Sequence, residues 1–309
     1  MASKRSDLRV DGRTLSVSNL DKVLFPRDGY TKGDLIDYYR AVAATILPHL
    51  ERRPLTLQRY PDGIGKESFF EKHVPKGIPD WVHTTTLDSP EGRRERTTYI
   101  VCDDEPSLVY IANLASIVLH VWTSRVGAIE HPDFVFFDLD PGEKCTIKTM
   151  AQTALALRDV LAAVKIKPLV KTSGGMGLHV AIPLADGYSY DAVKVFTEAV
   201  ARHLTKAQPE LVTLERTIAR RDEHLVYLDY VQVGRGKTMV APYSVRARDR
   251  APVSTPLDWS EVEAFARKRT GVPSEVFAAF TMRTTAKRIA REGDLWGSKA
   301  WRPQHLPAS

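Results

Sequence analysis

The sequence predicts an α/β protein in which a mixed central β-sheet carries three aspartates and helices pack outside it. Two observations lead to this prediction. Runs rich in β-forming residues contain carboxylates near their ends, at residues 134–142 and 225–230. Between and after these runs, apolar residues recur at intervals of three and four. That periodicity is typical of amphipathic helices packed on a sheet.

The composition is that of an ordinary globular protein. Of 309 residues, 43% are hydrophobic and 27% are charged, which is enough apolar material for a buried core. Neither an internal repeat nor a low-complexity linker interrupts the sequence, so we expect residues 1–309 to form a single catalytic domain. Lys and Arg number 44 against 38 Asp and Glu. This balance favours a polyanionic partner without proving one.

Several classes of protein are disfavoured. The two cysteines, Cys102 and Cys145, form no Cys-x-x-Cys motif, so they indicate neither a disulfide framework nor a zinc site and fit a reducing cytosol. Residues 1–7 have no apolar core behind their charges, and we expect no secretory signal there. The most apolar segment, residues 107–122, is shorter than the roughly 20 residues that span a bilayer. We predict that it is a buried helix ending near His120, with no membrane association and a cytoplasmic location.

The candidate site is organised around residues 134–142, Phe-Val-Phe-Phe-Asp-Leu-Asp-Pro-Gly. In a strand, Asp138 and Asp140 point to the same face with Cα atoms roughly 6–7 Å apart. Two such carboxylates repel unless a cation lies between them, and their hard oxygens select Mg²⁺ or Mn²⁺. The alternative is a strand end followed by an ordinary turn.

Near the start of the chain, residues 14–19 alternate like a short strand, and Thr31 and Asp34 form a capping box that begins a helix. Lys22 and Lys32 lie near that helix start. They are either solvated surface lysines or, with the free N–H groups of the helix, an anion site.

Residues 52–72 predict a strand, a glycine-containing loop and an aromatic pair, Phe69 and Phe70. Adjacent aromatics in a strand point to opposite faces, so at most one needs to be in the core. The other could stack on a base, although core packing is the simpler interpretation for both. Residues 76–101 are predicted to form an irregular hairpin region.

Residues 150–164 predict an amphipathic helix, and residues 167–183 predict a strand, a glycine-rich loop and a second strand. Three glycines allow the loop to aim backbone N–H groups at a phosphate, with the Ser173 hydroxyl beside them. His179 would then face whatever the loop holds. A plain hairpin turn is the alternative.

A helix is predicted from Asp191, followed by a strand at residues 225–230 that carries Asp229. A third carboxylate on a neighbouring strand is what a two-metal site needs. A basic, glycine-rich ribbon at residues 234–248 follows. Two further helices, from Asp258 and over residues 274–291, offer no obvious chemistry.

Three motifs occur in the order Phe-Phe-Asp-Leu-Asp-Pro-Gly, Thr-Ser-Gly-Gly-x-Gly-Leu-His and Tyr-Leu-Asp-Tyr…Gly-Lys-Thr…Ala-Pro-Tyr-Ser-x-Arg. In this order and spacing they resemble the polymerase domain of bacterial ligase D, a branch of the archaeo-eukaryotic primase superfamily used in non-homologous end joining. The likeness covers nearly the whole chain. It implies a single primase-polymerase domain and template-directed transfer of nucleotides, preferably ribonucleotides, to a primer 3′-hydroxyl.

The resemblance also implies roles for individual residues. The metal triad, for two Mn²⁺ or Mg²⁺ ions, would be Asp138, Asp140 and Asp229. The nucleotide would be bound by Ser173, Gly174, His179, His120, Arg59 and Lys237. The DNA, including the 5′-phosphate of a broken end, would be bound by Asn19, Lys22, Lys32, Phe69, Phe70, Arg221 and Arg246. Met176 and Gln58 depart from the pattern, because relatives often have lysine at these positions.

The implied partners are double-stranded DNA with gaps or overhangs and a 5′-phosphate, nucleoside triphosphates, Ku and a DNA ligase, in a bacterial cytoplasm at the nucleoid. A stand-alone protein and an excised domain both fit. So do a primase or gap-filling polymerase of another repair route, a DNA-end bridging module and a metal-dependent nuclease or phosphatase.

Overall fold

A computed structural model of the chain describes residues 5–88 and 95–307. The chain forms two compact units, each built from three separate stretches. Unit 1 comprises Met1–Val126, Thr238–Ser254 and Phe280–Asp294, and unit 2 comprises Gly127–Lys237, Thr255–Ala279 and Leu295–Ser309. That residues 1–309 act as a single catalytic domain stays a prediction.

Strands and helices alternate along the described residues. The strands are β1 (Arg5–Val10), β2 (Arg13–Ser18), β3 (Val23–Phe25), β4 (Tyr30–Thr31), β5 (Leu55–Arg59), β6 (Phe69–Glu71), β7 (Thr84–Asp88), β8 (Arg96–Ile100), β9 (Ser116–Trp122), β10 (Phe134–Pro141), β11 (Leu169–Thr172), β12 (Leu178–Pro183), β13 (Val212–Thr213), β14 (Val226–Asp229), β15 (Thr238–Val240) and β16 (Pro256–Leu257). The α-helices are α1 (Lys32–Ala41), α2 (Ala43–Leu50), α3 (Glu105–Asn113), α4 (Ile147–Ala163), α5 (Tyr190–Ala207), α6 (Trp259–Ala266), α7 (Pro273–Phe277) and α8 (Met282–Glu292), and a 3₁₀-helix spans Ile218–Arg220.

The core of unit 2 is a six-stranded sheet in the order β13-β14-β10-β12-β11-β16. Its pairings are antiparallel except that of β13 with β14, which is parallel. Helix α4 contacts α5, α6 and α7 and also strands β10, β12 and β14. The predicted mixed sheet flanked by helices is therefore confirmed, and the glycine-rich loop connects β11 to β12 as predicted.

Unit 1 contains a four-stranded antiparallel sheet in the order β15-β9-β5-β6. The predicted capping box at Thr31 is present: its side chain accepts from the Asp34 N–H, and the Asp34 carboxylate accepts from the Thr31 N–H. Hairpin β7–β8 occupies the region predicted to be irregular, and the part of that prediction on residues 89–94 lies outside the described residues.

Two helix predictions are wrong. Residues 107–122 do not form one buried helix, because α3 ends at Asn113 and strand β9 follows, with His120 inside the strand. Ala115 has a φ of 56°, a left-handed conformation that does not continue the helix, and the β-branched residues that follow favour an extended strand. Residues 274–291 likewise form two helices, because Thr281 caps a new one, α8.

Candidate active site

Four ionisable side chains lie in one row across four neighbouring strands of unit 2. Asp229 on β14 is directly opposite Asp138 on β10, Asp138 is opposite His179 on β12, and His179 is opposite Lys171 on β11. Directly opposite residues share a face of the sheet, with Cβ atoms about 4.5–5.5 Å apart. The row therefore places two carboxylates, an imidazole and an ammonium side by side.

Asp140 extends this row along the strand. It lies two residues after Asp138, so both carboxylates share a face, and its opposite neighbour is Tyr227. The structure thus has Asp138 and Asp140 on one face of a strand and Asp229 on the neighbouring strand, as predicted. Three carboxylates are a hard oxygen donor set of the kind that Mg²⁺ and Mn²⁺ prefer.

The three side chains are not oriented as a finished ligand set. Among residues 5–88 and 95–307, no group of three or more His, Cys, Asp or Glu side chains is arranged to hold a metal ion. The Asp229 carboxylate accepts instead from the Val231 N–H at 3.0 Å and from Gln232 Nε2 at 2.7 Å. Carboxylates that lie close together without a cation repel, and the two hydrogen bonds stabilise the charged form of Asp229.

The glycine-rich loop is organised from within by Ser173. The Ser173 hydroxyl accepts from the Gly175 and Gly177 N–H groups, each at 3.2 Å, and the Ser173 N–H donates to the Gly177 carbonyl at 2.9 Å. Two of the amides predicted to face a phosphate are thus engaged inside the loop. Gly174 has a φ of 72°, a conformation that favours glycine.

The loop packs directly on the carboxylate strand. A Cβ added at Gly177 would overlap the Leu139 carbonyl oxygen and would lie 3.6 Å from Asp140 Oδ1. Gly142, just after the strand, has a similar constraint, because a Cβ there would overlap the backbone of Glu223. Gly177 therefore allows the loop to approach Leu139, just before Asp140, and Gly142, just after the strand, allows close approach to the backbone of Glu223.

Arg221 brings a positive charge beside the carboxylates. Its guanidinium stacks on the Tyr227 ring, 3.6 Å from the ring centroid, and its Nε donates to the Glu215 carbonyl at 2.8 Å. The pKa of Tyr227 is raised by burial and by the charges of Asp229 and Asp140, and Arg221 opposes this. Lys237, which is assigned to the nucleotide whereas Arg221 is assigned to DNA, is exposed after a turn in which its N–H donates to the Gly234 carbonyl.

In unit 1, the aromatic pair lies on β6, an edge strand, and both rings are exposed, Phe69 by 46% and Phe70 by 59%. Core packing of the pair is therefore wrong. The Arg59 guanidinium lies 5.3 Å from the Phe69 ring centroid, and Phe70 makes an edge contact with His120 at 5.7 Å between centroids. Arg59 also donates to Glu71 at 3.0 Å, so its charge is already paired within the unit.

The residues assigned to the 5′-phosphate surround the start of α1. Asn19 adopts a left-handed φ of 53°, and its carbonyl accepts from the Lys22 N–H. The Lys22 ammonium pairs with Asp62. Lys32 is not a solvated surface residue, since it is 5% exposed and its Nζ donates to the carbonyl and side-chain oxygens of Asn113, at 3.0 and 2.9 Å. Burial, with a smaller effect of Lys22, lowers the pKa of Lys32 to about 8.

Arg246, assigned to DNA, is half-buried in unit 1, and its N–H donates to the Pro252 carbonyl at 2.7 Å. The sequence analysis missed other residues of these sites: Lys171, Gln232, Glu71, Asp62 and Asn113. One signal could have found Lys171, because a lysine within the apolar run of β11 is unusual. Gln232, Glu71, Asp62 and Asn113 are hydrogen-bond or ion-pair partners of site residues, and no sequence pattern indicated them.

The fold is that of a polymerase domain. The chain is similar to the polymerase domain of Mycobacterium tuberculosis ligase D in complex with DNA, with a TM-score of 0.82 and 35% sequence identity, covering 91% of this chain and 96% of that one. Residues 31–296 match the family described as LigD, primase-polymerase domain, and the chain belongs to this family. The resemblance deduced from the motifs is thereby confirmed.

Two curated relatives of the chain are named as non-homologous end joining proteins. The chain is 36% identical to the multifunctional non-homologous end joining DNA repair protein LigD of Mycobacterium tuberculosis (strain ATCC 25618 / H37Rv), over 91% of this chain and 36% of that protein. It is 34% identical to the bifunctional non-homologous end joining protein LigD of Bacillus subtilis (strain 168), over 96% of this chain and 46% of that protein. The chain therefore spans less than half the length of these relatives. Within the part of the chain that the structure describes, no helix has the length and apolar character needed to cross a bilayer.

Proposed function

We propose that the chain transfers nucleotides, directed by a template, to a primer 3′-hydroxyl at DNA gaps or double-strand-break ends in non-homologous end joining, with a preference for ribonucleotides. The observation that carries this proposal is the register of Asp138 opposite Asp229, with Asp140 two residues away, on a LigD primase-polymerase sheet. We assign gapped or overhanging DNA with a 5′-phosphate and nucleoside triphosphates as substrates.

The three aspartates would hold two Mn²⁺ or Mg²⁺ ions. Bound there, the ions would lower the pKa of the primer 3′-hydroxyl and neutralise charge on the departing pyrophosphate. Each Asp229 oxygen accepts one hydrogen bond, Oδ1 from the Val231 N–H at 3.0 Å and Oδ2 from Gln232 Nε2 at 2.7 Å. Each oxygen keeps a second lone pair that could bind a metal ion, so Val231 and Gln232 would orient this carboxylate.

The other residues of unit 2 would bind the triphosphate. Ser173 shapes the glycine-rich loop with its lone pairs, which leaves its O–H proton to donate to a phosphate oxygen. Lys237 supplies positive charge, and Gly174 supplies the left-handed turn. Arg221, whose guanidinium stacks on the Tyr227 ring, would instead contact DNA. The resemblance adds His179, and from unit 1 it adds His120 and Arg59.

Unit 1 would bind the DNA. Phe69 and Phe70 present exposed ring faces on which bases can stack. Asn19, Lys22 and Lys32 would recognise the 5′-phosphate at the start of α1, and Arg246 would contact the backbone. Ku and a DNA ligase are the proposed partners, at the nucleoid of a bacterial cytoplasm.

Primer extension on a gapped duplex with Mn²⁺ tests the proposal. The assay compares ribonucleoside with deoxyribonucleoside triphosphates, and a downstream 5′-phosphate with a 5′-hydroxyl. We expect extension that is faster with ribonucleotides, is stimulated by the phosphate, and is lost in Asp138→Asn but kept in the control Asp186→Asn, an exposed aspartate of the same unit.

Other outcomes select other functions. Extension that ignores the 5′-phosphate would favour a primase or gap-filling polymerase. Tight binding to DNA ends without any extension would favour a bridging module. Release of mononucleotides from the DNA, dependent on Asp138, would favour a nuclease.

A further inference from the structure

Lys171 is a buried lysine that the reaction described above does not use. It lies on β11, is 0% exposed, and its Nζ lies 2.8 Å from His179 Nδ1. On the other side of the ring, His179 Nε2 lies 3.3 Å from Asp138 Oδ1, at ion-pair distance but outside hydrogen-bond geometry. The three side chains therefore form a continuous line from the interior of unit 2 to a predicted metal ligand.

The chemistry of the two nitrogens gives this line a direction. In its ammonium form Lys171 has three donors and no acceptor, and Nδ1 of His179 then accepts from it. The ring proton then belongs on Nε2, where it faces the Asp138 carboxylate. A histidine held in this tautomer presents its Nε2–H to Asp138. Because Nδ1 is engaged by Lys171, a phosphate oxygen of the nucleotide would share this same Nε2 proton with Asp138.

Burial of the lysine is itself informative. Lysine is almost never fully buried without compensation, because a charge loses its hydration. Here the Trp296 ring lies 6.0 Å from Nζ, measured to its centroid, and the indole Nε1 donates to the Val170 carbonyl at 3.0 Å. Trp296 is thus fixed against the strand that carries Lys171, and it provides a ring face toward the ammonium.

We infer that Lys171 is a positioning residue for the metal centre: through His179 it fixes the orientation of the Asp138 carboxylate. The inference rests on the proposed function, since it gives Asp138 a ligand role. Residues behind a metal ligand orient it, and their removal typically lowers metal affinity or activity by about 10–100-fold. A plain structural role for Lys171 is the competing explanation.

The substitution Lys171→Met tests the inference, because methionine keeps much of the length and removes the donor. Lys171→Arg keeps a donor at the same place. Lys167→Met is the matched control, since Lys167 is exposed just before β11. Thermal unfolding of each variant establishes that it is folded before any other measurement.

Two readouts are independent of catalysis. The first is the ring nitrogen spectrum of His179 in protein labelled with ¹⁵N-histidine, with the signal assigned by loss in His179→Gln. We expect the Nε2–H tautomer in the wild type and in Lys171→Arg, and its loss in Lys171→Met. The second is Mn²⁺ affinity, measured by the electron paramagnetic resonance of free Mn²⁺, which we expect to fall by about 10-fold or more in Lys171→Met.

In primer extension, we expect Lys171→Met to raise the Mn²⁺ concentration needed for half-maximal rate by about 10-fold, with an unchanged KM for DNA. Three results would overturn the inference. These are an Nδ1-protonated His179 in the wild type, an unchanged Mn²⁺ affinity in folded Lys171→Met, and a loss of extension rate in Lys171→Met that is fully explained by a smaller fraction of folded protein.

If Lys171→Met does not fold, the nitrogen spectrum of the wild type and the measurements on Lys171→Arg test the inference. If the wild type extends no primer, the tautomer and Mn²⁺ affinity still test the positioning role separately from the proposed function.

Discussion

In unit 2, the side chains assigned to catalysis lie in register across a sheet and go from fully buried Lys171 to half-buried Asp138 and exposed Asp140. In unit 1, the aromatic side chains assigned to DNA lie on an edge strand with their faces exposed. The first arrangement places each ionisable group beside another on the next strand. The second leaves aromatic rings on which a base of any identity can stack. Substitutions should therefore alter chemistry in unit 2 and DNA binding in unit 1.

The largest effect is expected from removal of a triad carboxylate. Asp138→Asn and Asp229→Asn should lower the rate of primer extension by at least about 10³-fold, because a metal ligand supplies several kcal/mol of transition-state stabilisation. Affinity for a gapped duplex without metal, measured by fluorescence anisotropy, should stay within about two-fold. Asp186→Asn should change neither quantity. If the triad variants also lost DNA affinity, the assignment of catalysis to unit 2 and of DNA binding to unit 1 would be wrong.

Truncation of an exposed ring should weaken DNA binding and leave the rate of extension at saturating DNA nearly unchanged, the opposite of the triad variants. Phe70→Ala should weaken DNA binding by about 1–3 kcal/mol if a base stacks on this ring, while kcat at saturating DNA changes little. Unfolding temperature should be unchanged, because the ring is 59% exposed. Val195→Ala, at a similarly exposed apolar residue of α5, is the control. An unchanged DNA affinity in Phe70→Ala would remove this ring from the interface.

Gly177→Ala probes the close approach of the loop to the carboxylate strand. A Cβ there would overlap the Leu139 carbonyl, and the backbone shift that relieves it should cost about 1–3 kcal/mol of unfolding free energy. Extension should fall together with Mn²⁺ affinity, since Asp140 moves with Leu139. Gly65→Ala, at a glycine with nothing within 4 Å of the added Cβ, should be neutral. Equal stability of the two variants in urea unfolding would contradict the packing argument.

The smallest expected effect is a pH dependence at Lys32. With a pKa of about 8, the ammonium is charged below pH 8 and loses its charge as the pH rises through that value. A bound phosphate favours the charged form, so binding above pH 8 requires proton uptake and weakens. Stimulation of extension by a 5′-phosphate should therefore fall by about a few-fold between pH 7 and pH 9. The effect should be no larger than that of losing one phosphate contact.

Lys32→Gln should show a small, pH-independent stimulation, which is the control for other titrating groups. The folded pKa lies below the value of 10.5 for an ordinary lysine, so the unfolded state binds more protons between about pH 8 and 10.5, and stability should rise with pH there. Stimulation that is constant from pH 7 to pH 9 in the wild type would exclude Lys32 from phosphate recognition.

The sequence predicted what local periodicity and motifs control. The strand carrying Asp138 and Asp140, the strand carrying Asp229, the hairpin around the glycine-rich loop and the capping box at Thr31 are all present. The mixed sheet follows from the same patterns.

Other features depended on distant partners. Residues 107–122 are equally apolar as a helix or as a strand buried on both faces, so periodicity could not separate α3 from β9. The burial of Lys32 depends on Asn113, 81 residues away. The link from Lys171 to His179 requires the register of β11 on β12, which a sequence pattern alone does not specify.

Diffraction at the manganese absorption edge, from crystals grown with Mn²⁺ and a non-hydrolysable ribonucleoside triphosphate, tests the central claim most directly. The account predicts anomalous peaks in contact with Asp138, Asp140 and Asp229. Well-ordered nucleotide with manganese bound elsewhere would contradict it.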